Sequence, residues 1–277
     1  MELYEVGGCV RDEILGIQSS DIDYTVVLDP SEIETTYTKK GQPIVPDPFD
    51  VMDKELQRRG FKVFLRTKEY LTIRAQFPKP HSLVAISHHR AGQTADFVLA
   101  RKESDYTDGR RPDKVEIGSL EDDLARRDFT MNAIAKFTDG DRGGYIDPFD
   151  GVQDIHDQII RAVGDPVARL TEHALRAVRA LRFYVTKGFA LDADLCDAME
   201  HPLVLDAIVN KISDERIQVE LSKMFRFDTL DSLQVLRDYP NLTDAMFAGS
   251  VSLDATMKTK GRGNNTRKVL DSGTVDW

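Results

Sequence analysis

Gly7-Gly8-Cys9-Val10-Arg11-Asp12, followed by Asp21-Ile22-Asp23-Tyr24-Thr25-Val26-Val27, is the stretch on which the reading of this chain turns. The glycine pair follows a short apolar start and a helix is predicted just after it, so backbone amides there could cradle a phosphate. A lone Gly-Gly pair is more often an ordinary turn, and the second segment is what raises its interest. Asp21 and Asp23 stand two apart at the start of a predicted strand, which projects both side chains from one face of a sheet. Fixed carboxylates repel each other unless a cation lies between them, and Mg²⁺ is bound by carboxylates together with substrate phosphates. On spacing alone a solvated strand start is the better account. Asp96, in Thr94-Ala95-Asp96-Phe97-Val98-Leu99-Ala100, could add a third carboxylate from a neighbouring strand, though taken alone it is an exposed acid.

Working outward, the 277 residues are 41% apolar and 30% charged, within the usual range of a soluble globular chain of one or two domains. The longest apolar runs, such as Ile22 to Leu28, fall far short of the roughly 20 residues that cross a bilayer, so no membrane span is expected. The start Met1-Glu2-Leu3-Tyr4-Glu5 lacks a basic and apolar leader, which predicts a cytoplasmic protein. Cys9 and Cys196 have no metal-ligand spacing and read as thiols. A net charge of -10 argues against a protein that coats nucleic acid through a general electrostatic term, while leaving room for a local basic surface.

Short apolar alternations at Tyr24 to Leu28, Phe61 to Arg66, Tyr70 to Gln76, Leu83 to Ser87 and Ala95 to Ala100 predict strands of one sheet. Pro30 to Pro48 reads as a loop with no assignable role, and Phe49 to Arg59 as a helix ending at Gly60. From Ser119, in capping-box spacing with Asp122, the periodicity becomes helical and strands become scarce. The fold class is therefore α+β, with a mainly helical second half. Lys258 to Lys268 collects five basic residues among Gly and Asn and is expected to be a mobile basic tail.

Two further strings could carry chemistry. In Arg126-Arg127-Asp128-Phe129-Thr130-Met131-Asn132-Ala133, Asp128 and Asn132 stand four apart, which on a helix would stack them on one side where they could bond a sugar. An N-cap followed by an amphipathic turn accounts for the same spacing. Thr171 to Val185 is predicted to be one helix with Ala174, Ala177, Val178, Leu181 and Val185 on its apolar stripe. Glu172 and Arg176 would pair on the opposite face, and Arg179 and Arg182 make that face basic enough to meet triphosphate or RNA.

In order along the chain these strings resemble the motifs of class II tRNA nucleotidyltransferases and bacterial-type poly(A) polymerases. Gly7 to Asp12 matches Gly-Gly-x-Val-Arg-Asp, Asp21 and Asp23 match Asp-x-Asp, and Arg126 to Ala133 matches Arg-Arg-Asp-Phe-Thr-x-Asn-Ala. Asp147-Pro148-Phe149-Asp150-Gly151-Val152-Gln153-Asp154 matches Asp-Pro-Phe-x-Gly-x-x-Asp. Glu172 to Phe183 matches Glu-Asp-x-x-Arg-x-x-Arg-x-x-Arg-Phe except at one position, and Ser213 to Leu221 resembles Ser-x-Glu-Arg-Ile-x-x-Glu-Leu.

The resemblance implies a polymerase β-like nucleotidyltransferase head over residues 1–145 with a mixed sheet, a helical neck over 146–225, and a short helical body over 226–277 ending in the basic tail. It implies that Asp21 and Asp23 hold the catalytic metals, two Mg²⁺ ions, with Asp96 as the third acid. Gly7, Gly8 and Arg11 would contact the triphosphate. Arg127, Asp128 and Asn132 would select a ribonucleotide, and Arg176 and Arg179 would lie at the base. His173 stands where the family has an Asp that reads exocyclic amines, which puts base choice in question, since a neutral imidazole offers one donor and one acceptor. The body is also shorter than the family's. The implied reaction is transfer of CMP and AMP from CTP and ATP to an RNA 3′ end, tRNA ranked first. The rivals are an ATP-only poly(A) or A-adding enzyme, a non-catalytic RNA-binding protein retaining the fold and, ranked last, nucleotide transfer to a protein or small molecule.

Overall fold

In the computed structural model the described residues are 1–19, 21–79, 90–104, 114–137, 144–248, 256–262 and 265–271. The first half is built on a strand-helix start: β1 (Glu2–Val6), α1 (Gly8–Ile14) and β2 (Asp23–Val27). The predicted loop after it contains a 3₁₀ turn at Pro30–Glu32 and a small antiparallel pair, β3 (Thr36–Tyr37) with β4 (Pro43–Ile44). α2 (Pro48–Arg58) starts where Asp47 accepts from the Phe49 N–H at 2.9 Å and Pro48 occupies the first turn. Its buried stripe, Phe49, Met52 and Leu56, has helical spacing. β5 (Lys62–Thr67), β6 (Thr72–Gln76) and β7 (Thr94–Leu99) follow, and then the pair β8 (Arg101–Ser104) with β9 (Lys114–Ile117). α3 (Leu120–Ala125) opens with the capping box expected from Ser119 and Asp122. The strand expected at Leu83 to Ser87 lies outside the described residues.

Seven strands form one mixed sheet in the order β11-β10-β1-β2-β7-β6-β5, with β10 at Ala135–Phe137 and β11 at Tyr145–Ile146. Among the described strands of this sheet only the central β2–β7 pair is parallel; its neighbours pair antiparallel. Strand structure therefore continues past Ser119, where helical periodicity was expected to take over. Both late strands are only two or three residues long, too short to show a period of two. One face of the sheet packs on α2 through Leu3, Tyr24, Val26, Met52, Leu56, Phe61, Ile73, Phe77 and Phe97. Tyr24 and Phe97 are register partners whose rings stack at 5.1 Å, and Phe61 meets Phe97 edge-on at 5.0 Å.

The short helix α4 (Gly151–His156) completes this unit, which comprises Met1–Ser104 and Lys114–Asp157. The Asp147 carboxylate accepts from the backbone N–H groups of Gly151 and Val152, both at 2.8 Å, and Asp154 accepts from the Thr130 hydroxyl at 2.6 Å. Gly151 lies so close to the Thr130 backbone that an added Cβ would meet its carbonyl oxygen at 2.1 Å. The Asp-Pro-Phe-x-Gly-x-x-Asp string is thus a joint that fixes the turn at Thr130–Asn132.

The second unit, described from Gln158 onward, is mainly helical: α5 (Pro166–Glu172), α6 (Leu175–Lys187), α7 (Ala193–Met199), α8 (Pro202–Lys211), α9 (Asp214–Phe227), α10 (Thr229–Asp238) and α11 (Pro240–Phe247). A parallel pair, β12 (Ile159–Ile160) and β13 (Ala190–Leu191), lies among them. Pro166, Pro202 and Pro240 each sit in a first turn, where their missing N–H costs nothing. α6 packs on α9, and Arg182 of α6 donates to Glu220 of α9 at 2.5 Å. The segment expected to be a mobile basic tail contains an antiparallel pair, β14 (Thr256–Arg262) with β15 (Asn265–Asp271).

Gly151→Ala tests the α4 joint. Helix propensity alone would favour Ala by about 1 kcal/mol, whereas the close approach to Thr130 makes it an overpacking change expected to cost about 1–3 kcal/mol. Urea unfolding should show net destabilisation; a stabilised variant would contradict the close approach.

Candidate active site

Asp23 and Asp96 are partners in the parallel β2–β7 register. The face they share is the one opposite the core, since Tyr24 and Phe97, the next residues along, are buried. Asp21 is exposed and precedes β2, so it joins the pair from the incoming loop rather than from the strand. Burial, the largest cause, and then the Asp96 and Asp21 carboxylates push the Asp23 carboxyl above its ordinary value, against the pull of Arg127 and Arg74. Arg74, on β6, forms a bidentate pair with Asp96 at 2.6 and 2.5 Å. Among the described residues there is no preformed cluster of three or more His, Cys, Asp or Glu able to enclose a metal; the carboxylates form an open row.

The glycine turn adjoins this row. Gly7 has φ 76°, a conformation that favours glycine, and a Cβ there would lie 2.9 Å from the end of the Arg127 guanidinium, which would have to shift. At Gly8 the nearest atom to an added Cβ is at an ordinary 3.5 Å. The helix behind the turn is only seven residues long, and the positive charge here comes chiefly from Arg11 and Arg127. Arg11 is buried and donates to Asn132 Oδ1 at 2.7 Å and to Asp12 at 2.8 Å. Asn132 in turn donates to Asp128 Oδ1 at 3.0 Å. The expected helix over these residues is absent: Thr130–Asn132 is a 3₁₀ turn, and Asp128 and Asn132 meet through it because Gly151 and Asp154 hold the turn from outside.

Asp123, which the sequence reading passed over, anchors the motif. It is fully buried and accepts from Thr25 Oγ1 at 2.8 Å, Arg126 Nε at 2.9 Å and Arg127 Nη2 at 3.0 Å. Burial pushes its carboxyl up, but the Arg127 and Arg126 guanidiniums and the bonds from Thr25 and Arg126 outweigh it, and the net direction is down. Its position four residues before Arg127 on a predicted helix was the available signal.

In the second unit, His173, Arg176 and Arg179 do not share one helix as expected. α5 ends at Glu172 and α6 begins at Leu175, with His173 at φ -148° between them. The break is stabilised by Arg176, whose Nη1 donates to the Arg169 carbonyl at 2.8 Å and to Glu172 at 3.0 Å, capping the last turn of α5. His173 Nε2 lies 3.1 Å from Arg216 Nη2. Arginine only donates, so Nε2 accepts and Nδ1 carries the proton; Nδ1 is buried without a hydrogen-bond partner among the described residues. Burial, then the charges of Arg216, Arg176 and Arg179, hold His173 down at about 4. Arg216, also missed, was visible in the Ser213 to Leu221 string.

Because His173 resists protonation in the fold, its contribution to stability is complete above about pH 6.5 and is lost as pH falls toward 4, where the unfolded chain binds a proton and the folded one does not. Between pH 7 and 4.5 the wild type should lose on the order of 2–3 kcal/mol more than His173→Asn in urea unfolding. Parallel losses would contradict the buried neutral imidazole.

The Poly A polymerase head domain family matches residues 3–57 and 50–161, the span that holds Asp23, Asp96, the glycine turn and the Asp123 anchor. The CCA-adding enzyme of Limosilactobacillus fermentum is 36% identical over 225 residues, covering 80% of this chain and 46% of its own length. A tRNA nucleotidyltransferase solved with a primer tRNA and an incoming ATP analogue is 26% identical with a TM-score of 0.64, covering 90% of this chain and 60% of that one. The Bacillus stearothermophilus CCA-adding enzyme in complex with CTP is 27% identical with a TM-score of 0.62, covering 91% and 54%. The chain spans about half the length of the curated relatives it matches. With the family match covering more than half of the sequence and the sheet and motif joints in place beneath it, the chain belongs to the Poly A polymerase head domain family.

Proposed function

We propose that the chain is a template-independent RNA nucleotidyltransferase that adds CMP and AMP to an RNA 3′ end, with tRNA as the first-ranked acceptor, and that it acts in the cytoplasm. The observation that carries this reading is the placement of Asp23 against Asp96 on the open face of the sheet, beside the Gly7 turn and Arg127. Matching relatives include CCA-adding enzymes, and the solved neighbours include one with CTP and one with an ATP analogue.

The donor set fits magnesium: hard carboxylate oxygens, with Asp23 raised first by burial and then by the neighbouring Asp96 and Asp21 carboxylates. Asp21 and Asp23 would hold the ions, with Asp96 as the adjoining third acid. Divalent ions bound there supply Lewis-acid stabilisation of charge on the phosphoryl group. The protein's own part is positioning. Gly7 and Gly8 let the backbone approach a triphosphate, and Arg127, with a buried Nε–H lacking a hydrogen-bond partner among the described residues, and Arg11 offer guanidinium charge to it. Asp128 and Asn132, fixed by the 3₁₀ turn, are placed to meet a ribose. His173, Arg176 and Arg179 are proposed to contact the base. The head, neck and body division is part of the same proposal.

An ATP-only enzyme is the rival reading, since His173, whose Nε2 is engaged by Arg216, leaves a donor where the family's carboxylate accepts, a change that alters base reading without choosing between C and A. Incubation of a tRNA transcript lacking its CCA end with each labelled nucleotide, followed by product sequencing, separates the two readings. C and A addition dependent on Mg²⁺ is expected; A alone supports the rival reading, and no incorporation overturns both. Asp21→Asn and Asp23→Asn should each lower incorporation by about 100-fold or more with a melting temperature near wild type, and near-normal activity in either contradicts the role given to them.

A further inference from the structure

The register that pairs Asp23 with Asp96 continues toward the edge of the sheet. Asp96 on β7 is opposite Arg74 on β6, and Arg74 is opposite Leu65 on β5. Asp96 and Arg74 lie between buried core-facing neighbours, Ala95 and Phe97 on one strand, Ile73 and Ala75 on the other, so these residues share the open face. With strands about 4.8 Å apart, the row from Asp23 to Leu65 is about 14 Å long.

The far end of this row has an unusual composition. Among the described residues β5 is the last strand of the sheet, and its register shifts between Val63 and Leu65, leaving Phe64 as an extra residue. Bulges at sheet edges re-aim side chains. Val63 packs against the core, while Phe64 and Leu65 are 53% and 52% exposed. Edge strands are usually protected from association by charge or bends, and two adjacent large apolar side chains left in water have no role in the core. Beside them, Arg74 uses Nε and Nη2 to hold Asp96. Its Nη1 takes no part in that pair, and its side chain is 49% exposed.

We infer that this edge is the platform for the single-stranded 3′ end of the RNA acceptor. A base next to the terminus stacks on Phe64 with Leu65 beneath it, Arg74 Nη1 meets the intervening phosphate, and the terminal ribose is delivered toward Asp96 and Asp23. An RNA end fits better than a protein segment because the patch is continuous in register with the carboxylate row and joins an aromatic face to a guanidinium, the combination that holds single strands without regard to sequence. The inference rests on the nucleotidyl-transfer reading, and the test separates the two.

The probe is a 5′-fluorescein tRNA transcript lacking its CCA end, titrated by anisotropy, with ATP affinity measured in parallel. Phe64→Leu keeps the apolar volume and loses the stacking face; Phe64→Trp keeps the face; the double variant F64S/L65S removes the patch at a solvent-exposed site. Phe64→Leu and the double variant should bind the transcript about 5-fold or more weakly, Phe64→Trp at least as well as wild type, and all should bind ATP unchanged. RNA affinity unchanged in Phe64→Leu and the double variant overturns the platform, as does loss of self-association without loss of RNA binding, which would mark the edge as a contact between copies. If wild type incorporates nucleotide yet the variants bind RNA normally, the platform fails and the activity stands. If wild type incorporates none but the variants lose RNA binding, the platform stands and the activity reading fails.

Discussion

The parallel register of β2 against β7 is the constraint on which the first unit depends. Side chains alternate along a strand, so one pairing decides what lies on both faces. Tyr24 against Phe97 places two stacked rings in the core, and Asp23 against Asp96 places two carboxylates on the open face. A slip of one residue would exchange the faces, burying carboxylates and exposing rings, at the cost of an unpaired buried charge and a lost aromatic cluster. The core thus enforces the geometry of the site. The hydrophobic energy of Phe61, Phe77 and Phe97 keeps like charges beside one another in a position they would not choose unaided.

A second set of contacts holds the motif residues that the sheet does not carry. Asp123 is a buried carboxylate whose cost is offset by Thr25, Arg126 and Arg127; removing one partner of such a network typically costs about 3–5 kcal/mol. It ties α3 to β2 and aims Arg127 across Gly7. From the other side, Asp147, Gly151 and Asp154 clamp the turn that presents Asp128 and Asn132. Several residues that stand out as motif letters therefore fix backbone.

Much of this was legible from spacing. The strands at Asp23, Lys62, Thr72 and Thr94, the helix at Pro48 and the Ser119 capping box all follow from local pattern, because each is decided by alternation or by a neighbour within four residues. The helix break at His173 was not legible, because the group that stabilises it, Arg176 on the Arg169 carbonyl, reaches back seven residues and competes with a periodicity that continues across the gap. The 3₁₀ turn at Thr130 was hidden for a related reason: a spacing of four reads as helix, and what prevents helix is Gly151, 21 residues later. Arg74 gave no signal as a single charged residue, and the spacing of Asp123 to Arg127 does not disclose Thr25; their importance comes from partners distant in sequence. The pairing of β14 with β15 was masked by basic composition that resembles a disordered tail.

The claim at the centre of this account is that one strand register sets Asp96 beside Asp23, so that the cation site proposed at Asp21 and Asp23 depends on the Asp96 carboxylate as well. The most direct measurement is calorimetric titration of Mn²⁺, which shares the preference of Mg²⁺ for carboxylate oxygens, into wild type, Asp23→Asn, Asp96→Asn and the double variant, each with a non-hydrolysable ATP analogue present. The account predicts that each single change weakens metal affinity by about tenfold or more and that the double change adds little, because residues sharing one site are not additive. Equal affinity in Asp96→Asn and wild type, or losses that simply add, would contradict it.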